Sequence, residues 1–492
     1  MIYPEWVLKY KRKGTAIHKI RGRYYLYEVS SKWDKELKRA RKITGRYLGV
    51  ITPEGLKEPG YRRNVPTSLK EYGASMFLLR ENSQIIDKLK EYFPEWWKEI
   101  FALSVFRLMY KSPLKHMQLH YQDSWISEEL GEARLSKDVL SQLLERVGIN
   151  REGIVGFLRE FICGEEKLLI DLTHVFSLSE GMVLSERGYN SELDFTPQVN
   201  LLFIFSLDKK LPLFYRILPG NVRDISSLKS TIEESGIKDV VIIGDKGFYS
   251  QDNIKLLEEG NLRYILPLKR NNSLIDYKVL ETGKKENFTG YFKFKKRYIW
   301  YYRSEKAGNV WVFLDEELRV KEEQDYLNRI ETHPEFGYNI ANFHKKQHRF
   351  GTLALITNLE KVSAKKIFHY FKSRVEIEQM FDTFKNTLEA DRTYMRNDYS
   401  MEGWMFINYL SLLYYYKIYH RLIEKDLLSK YSPLDVLFYL SKYRKVKVST
   451  HWIDLEIPKQ TRLLMETFSL PVSYTHLRAH ETRHDLVCRL LL

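Results

Sequence analysis

The chain has 492 residues, 79 Lys+Arg against 64 Asp+Glu, a formal net charge of +15 and 44% hydrophobic residues. That is too long for one ordinary core and too apolar for wholesale disorder, and two cysteines, Cys163 and Cys488, exclude a disulfide scaffold or a cysteine-rich zinc module. The longest apolar run, 406–416, is too short to span a bilayer, and the N-terminus lacks the apolar stretch of a secretory signal, so the expectation is a soluble protein of a reducing compartment with a polyanionic partner and no membrane.

The positive charge is concentrated at the start. Residues 1–63 hold 17 Lys+Arg and 6 Asp+Glu, a net of +11, which leaves +4 for the other 429 residues. Aromatics interleave with cations in 21–29 and 38–49, which read as short twisted strands with basic edges. Residues 1–65 are thus expected to be a small β-rich arm with its linker, with Arg21, Arg23, Lys38, Arg39, Arg41, Lys42 and Arg46 as DNA-phosphate contacts. The alternative is a basic face kept for solubility. From 66 to 163 apolar residues recur at three- and four-residue spacing, which predicts a helical domain with Thr67, Ser68 and Ser136 as N-caps.

At Lys167 the period becomes strand-like. KLLIDLTHVF, a hairpin through VNLLFIFSL and LPLFYRIL, a helix at 225–235, the buried strand DVVIIGDKGF, a helix at 251–260 and the strand RYILPLK follow in turn. This order predicts an α/β layer with a mixed sheet over 164–270. A Tyr-, Phe- and Lys-rich stretch, 271–350, reads as a β-rich insertion. Residues 351–430 return to the core with a long helix at 361–393, and 431–471 reads as a C-terminal helical segment.

Asp171 and Asp245 each stand close to the end of an apolar strand. A carboxylate there is costly unless it faces solvent, a metal or a partner, and two such strands side by side would bring both acids to one sheet edge. Taken singly, each Asp also reads as a turn residue or helix cap. On an ideal helix Phe371, Arg374, Glu378 and Lys385 fall in one stripe, next to an apolar stripe of Ile377, Phe381, Phe384 and Leu388. A carboxylate beside two cations on a docked helix suits phosphoryl chemistry; Arg374 and Glu378 alone also read as a surface i,i+4 pair.

These motifs resemble the DDE transposases of prokaryotic insertion sequences, in the cut-and-paste branch with the Tyr-Arg-Glu-Lys signature. Arg374, Glu378 and Lys385 match its spacing; Phe371 stands in the tyrosine position with Tyr370 beside it. DLTH at Asp171, DKGF at Asp245, PGNVRD at 219–224 and the ending GRYLGVITPEGL of the basic segment also look like the family. The resemblance implies an RNase H-like core in which Asp171, Asp245 and Glu378 hold two Mg²⁺ ions, with Mn²⁺ able to substitute. It implies phosphate grip by Arg374, Lys385 and Tyr370, and a base stacked on an insertion aromatic, for which Trp300 and Trp311 are candidates against a plain role in sheet packing. The implied partners are double-stranded DNA, as terminal inverted repeats and target, and a second copy on paired ends. The implied reaction runs through a DNA hairpin, in a prokaryotic cytoplasm at the nucleoid. The competing readings are an inactive or repurposed DNA-binding derivative and an RNase H-like nuclease without strand transfer.

Residues 472–492 resemble no segment of that family. They look like a translated sequencing adapter: GTC TCT TAT ACA CAT CTC CGA GCC CAC GAG reads Val472 to Glu481, and CTC GTA TGC CGT CTT CTG CTT reads Leu486 to Leu492. The alternative is a helix with His476, His480 and His484 on one stripe.

Overall fold

The computed structural model describes residues 3–34, 38–57, 66–162, 167–188, 195–222, 226–238 and 240–471. Cys163, Cys488, Arg223, Asp224 and the 472–492 segment lie outside the described residues. The chain divides into two compact units, Met1–Gly73 with Leu440–Leu492, and Ala74–Tyr439.

The first unit contains two small antiparallel sheets. Strands Thr15–Ile20, Arg23–Asp34, Arg39–Thr52 and Gly55–Lys57 pair in chain order. The first hairpin turns on two residues with positive φ, Arg21 at 50° and Gly22 at 80°, the backbone that matches strand twist in a two-residue loop. One face closes over Val7, Leu26 and Ile51, with Tyr3, Trp6 and Tyr24 packed around them. The second sheet was not legible: helix was expected from Thr67, and again through 431–471. Instead Pro66–Glu71 is a strand, paired with Arg444–Val448, which pairs in turn with His451–Asp454. Lys445 explains part of the preference, since its ammonium lies over Tyr72, 4.0 Å from the ring centroid, and 3.2 Å from Asp454. Partners nearly four hundred residues apart leave no local period to read.

The second unit is mixed α/β. We number its elements β1 Lys167–Ser177, β2 Gln198–Ser206, β3 Leu211–Pro219, α1 Ser226–Ser235, β4 Val241–Ile243, α2 Gln251–Glu259, β5 Arg263–Leu268, β6 Gly290–Phe294, β7 Arg297–Arg303, β8 Val310–Asp315, α3 Glu316–Thr332, β9 Thr352–Thr357, α4 Ala364–Lys372, α5 Val375–Asp382, β10 Arg392–Thr393 and α6 Asp398–Glu424. The first five strands lie in the order β3-β2-β1-β4-β5, with β2 antiparallel to its neighbours and β4 and β5 parallel to β1. That order, with helices in the parallel crossovers, is consistent with an RNase H-like core. Every residue of β2 is buried, as an unbroken apolar run in a central strand should be.

The insertion is not a separate sheet. β9 pairs antiparallel with β5, and β8, β7 and β6 extend from it, so the sheet reaches ten strands including β10 beside β1. The β-rich reading of 271–350 holds only for its first half; from Glu316 the chain turns helical in α3 and again at Ile340–Lys346. Asp315 caps α3 by accepting from the Leu318 amide, a local N-cap signal that outweighs the aromatic composition.

Helices Trp97–Tyr110, Lys137–Ile149 and Arg151–Arg159 surround the 27-residue α6. A Cβ on Gly148 would meet the Tyr399 carbonyl oxygen at 1.8 Å, and one on Gly403 would meet that of Leu144 at 1.9 Å. Only glycine lets these backbones approach so closely.

Candidate active site

The sheet register brings the first two acids together. β1 and β4 are parallel with Leu169 opposite Ile243; two residues further along each chain stand Asp171 and Asp245. Asp171 is not close to a strand end, as the sequence suggested, but in the middle of β1, because the polar residues after it still pair with β2 as far as Phe176. β4 by contrast stops at Ile243, and Asp245 caps a short 3₁₀ turn at Lys246–Phe248, accepting from the Gly247 amide. Cap and site residue are thus one and the same.

Glu378 arrives on α5. The 361–393 segment is not one continuous helix. α4 ends at Lys372, Ser373 and Arg374 form a turn, α5 begins at Val375, and Thr383–Thr387 winds as a π-helix. Ile377, Met380, Phe384 and Leu388 are fully buried, with Phe384 edge-on to Phe203 of β2. This apolar face docks the segment on the sheet and turns Glu378 outward, 61% exposed.

The three carboxylates converge on one cation. Arg374 Nη2 lies 2.7 Å from Asp171 Oδ2, 3.9 Å from Asp245 Oδ2 and 3.8 Å from Glu378 Oε1. Its guanidinium carbon stands 6.0 Å from the centroid of Phe371, and its Nε is buried without a hydrogen-bond partner. Burial pushes the Asp171 carboxyl up, and the adjacent Arg374 opposes that only in part. Three carboxylates drawn to one point would repel each other without a positive charge between them; Arg374 supplies it.

The remaining expected residues separate. Lys385 lies in the π turn, and its Nζ is 3.2 Å from His174 Nε2, three residues beyond Asp171 on β1. Tyr370 lies under the Lys167 ammonium, 5.4 Å from its ring centroid. Trp300 and Trp311 point to opposite faces of the sheet, because Trp300 pairs with Leu314 while Trp311 pairs with Arg303. Trp300 lines an open cleft of about 540 Å³ with Tyr291, Tyr298, Glu316 and Glu317, and Lys285 lies over its ring. Trp311 packs edge-on to Tyr301 and under Arg303. In the basic arm, Arg21 and Arg23 stand at one hairpin turn, and Lys38, Arg39, Arg41 and Lys42 at the far end of the long strands.

Two supporting residues escaped the sequence reading. Arg107, buried among apolar neighbours, donates to the Leu388 and Glu389 carbonyls and to Asn408 Oδ1. It thereby closes the C-terminal end of the Glu378 segment. Lys210, at the β2–β3 turn with φ 55°, reaches Glu376 at 2.6 Å and holds the other end. An arginine inside the apolar period of WKEIFALSVFRLMY was the available signal.

Three carboxylates are hard oxygen donors of the kind a divalent cation takes. Among the described residues no three His, Cys, Asp or Glu side chains stand close enough together to hold one metal ion; the acids are drawn round the guanidinium instead. The donor set fits such an ion in chemistry, with Arg374 in the position of counter-charge.

Residues 167–414, half of the chain, match the family model described as "Transposase DDE domain". The chain belongs to the DDE transposase family, whose members generally use divalent metals. No curated protein matches it in sequence. Among solved structures it is similar to a piggyBac transposase synaptic complex with hairpin DNA, at 12% identity over 80% of each chain with a TM-score of 0.38. It is also similar to a Mos1 transposase paired-end complex with left transposon end, at 12% identity over 33% of this chain and 56% of that one with a TM-score of 0.15. Scores of this size do not establish a common overall fold. No helix among the described residues is long and apolar enough to cross a membrane.

Proposed function

We propose that this protein is the transposase of a prokaryotic insertion sequence, of the Tyr-Arg-Glu-Lys branch, which cleaves the ends of its element and joins them to target DNA. The observation that carries this reading is the convergence of Asp171, Asp245 and Glu378 within 3.9 Å of Arg374 Nη2. In this reading Asp171, Asp245 and Glu378 would hold Mg²⁺, for which Mn²⁺ can substitute. The ions would supply activation of the attacking oxygen and stabilisation of the leaving oxygen in an in-line displacement at phosphorus.

The chain's own residues do the rest. Asp171 is fixed by its strand and Asp245 by its cap, so two donors are held in place before any ligand arrives. Glu378 is the exposed, adjustable third. Arg374 neutralises the acids in the free protein, and turns to a phosphate oxygen of the DNA when the acids take up a cation. Phe371 packs against that guanidinium, a support that needs a ring and no hydroxyl, and Tyr370 and Lys385 flank the same strand as further phosphate contacts. Trp300, which lines an open aromatic cleft, and Trp311, whose register puts it on the sheet face of Asp171, are the two candidates to receive a base unstacked in a hairpin intermediate. A homodimer on paired ends, in the cytoplasm at the nucleoid, completes the proposal.

The test is cleavage of duplex DNA carrying the element's inverted repeats. Asp171→Asn, Asp245→Asn and Glu378→Gln are each expected to reduce nicking by about a thousandfold or more while leaving duplex binding intact. Normal nicking by the three variants would sink the assignment.

A further inference from the structure

The long hairpin of the first unit has a feature that phosphate neutralisation does not use. Strand Thr15–Ile20 covers only Arg23–Glu28, and Gly55–Lys57 covers only Val50–Thr52. Residues 29–34 and 39–44 pair with each other and, among the described residues, with no third strand. They form a two-stranded ribbon that extends past the sheet, about 20 Å long at the usual rise per residue.

Its side chains divide by face. Opposed pairs in an antiparallel ladder share a face, so Ser30 with Ile43, Lys32 with Arg41, and Arg39, whose register partner is Asp34, lie on one side. Val29 with Thr44, Ser31 with Lys42, and Trp33 with Ala40 lie on the other. Ser30, Lys32, Arg39, Arg41 and Ile43 are all exposed, and neither Lys32, Arg39 nor Arg41 has an ion-pair or hydrogen-bond partner among the described residues. A ribbon with three exposed cations, a hydroxyl and an exposed isoleucine on one face is poorly explained as solubility. It has no core to cover, and Ile43 is 42% exposed.

Resting on the proposed action on DNA, we propose that this ribbon enters the major groove of the end duplex and reads base edges with its Lys32–Arg39–Arg41 face. The major groove, about 12 Å wide, admits a two-stranded ribbon, and its floor offers guanine O6 and N7 to arginine and lysine and the thymine methyl to an apolar side chain. Arg39 and Arg41 supply the first kind of contact, Ile43 the second, and Ser30 bonds to either kind of base. Arg21 and Arg23, at the other end of the same strands, are left to grip the backbone and set register. The basic segment is thereby a recognition device as well as an electrostatic one.

The test uses the full chain and fluorescence anisotropy on three labelled duplexes: DNA flanking the gene, the same base composition scrambled, and the flanking sequence with 7-deazaguanine, which lacks N7. The wild-type chain is expected to prefer the flanking duplex over the scrambled one and to lose most of that preference on the 7-deaza duplex. The combined change Lys32→Ser, Arg39→Ser, Arg41→Ser should cut affinity for the flanking duplex about a hundredfold and for the scrambled one far less. Lys42→Ser, on the opposite face, should weaken both equally and slightly. Equal loss on both duplexes in the triple variant, or indifference to 7-deazaguanine, overturns groove reading and leaves a phosphate grip. Unchanged binding of the triple variant overturns the ribbon as a DNA surface while the catalytic reading stands; a wild-type chain that binds no duplex overturns both.

Discussion

Asp171 is held between two opposing effects. Burial disfavours its charge and Arg374 favours it, and the balance leaves its carboxyl above the ordinary aspartate value of 3.8. A native carboxyl with a raised pKa binds its proton more tightly than the unfolded chain does. Stability therefore falls as pH climbs from the ordinary aspartate value through the raised one and stays lowered above it. In metal-free buffer Asp171→Asn is thus expected to melt above the wild type at pH 7, with the two melting temperatures converging as the pH drops to the unperturbed aspartate range. A thermal scan across pH checks this, and a variant that melts below the wild type at pH 7 contradicts it. In the proposed function the residue is kept for its chemistry, at the cost in stability typical of a functional site. Its identity as an acid worth watching was legible, since few strands interrupt an apolar run with Asp. Its depth in β1, and the guanidinium that meets it, were not, because Arg374 is 203 positions away.

Among elements, the α4–α5–π segment departs from the single long helix that its apolar period suggests. The spacing of Arg374 and Glu378 holds because Arg374 stands at the N-cap of α5 and its carbonyl accepts from the Glu378 amide, one turn on. Lys385 follows in a π turn, and nothing in TFKNT announces one. What fixes the segment is outside it: Arg107 at its end, Lys210 at Glu376, and the aromatic contact with Phe203. The crossing of α6 with Lys137–Ile149 is fixed differently, by absence of side chain. Gly148→Ala would drive a methyl into the Tyr399 carbonyl, and is expected to cost about 1–3 kcal/mol, measurable as a lower midpoint in urea. Since α6 also packs on β3 through Tyr409, whose hydroxyl donates to the Pro212 carbonyl, reduced cleavage should accompany reduced stability.

At the scale of the whole molecule, charge and chemistry belong to different stretches of chain. Residues 1–63 carry +11 of the +15, while the acids, Arg374 and the sheet that aligns them lie in the second unit. Removing residues 1–65 takes away the four-stranded sheet with its own apolar cluster and leaves the carboxylates untouched. That truncation is expected to weaken duplex binding and to flatten the plot of log affinity against log salt by about 0.9 for each DNA phosphate the arm neutralises. An unchanged slope, measured by anisotropy, would place the DNA-binding charge elsewhere.

By itself the sequence determined what depends on neighbours a few residues apart. The basic, aromatic-laced start, the strand-hairpin-helix-strand order of the core, the apolar face of the Glu378 helix and the residue types of the acidic triad are all local patterns of charge or period. Only the tertiary structure decided what depends on distant partners: that Asp171 lies mid-strand and in register with Asp245, that one guanidinium serves three carboxylates, that the insertion extends the core sheet, and that 66–71 finds its partner at 444–448. Periodicity specifies which face of an element is buried. It carries no information about which other element buries it, and each site distance is set by that second choice.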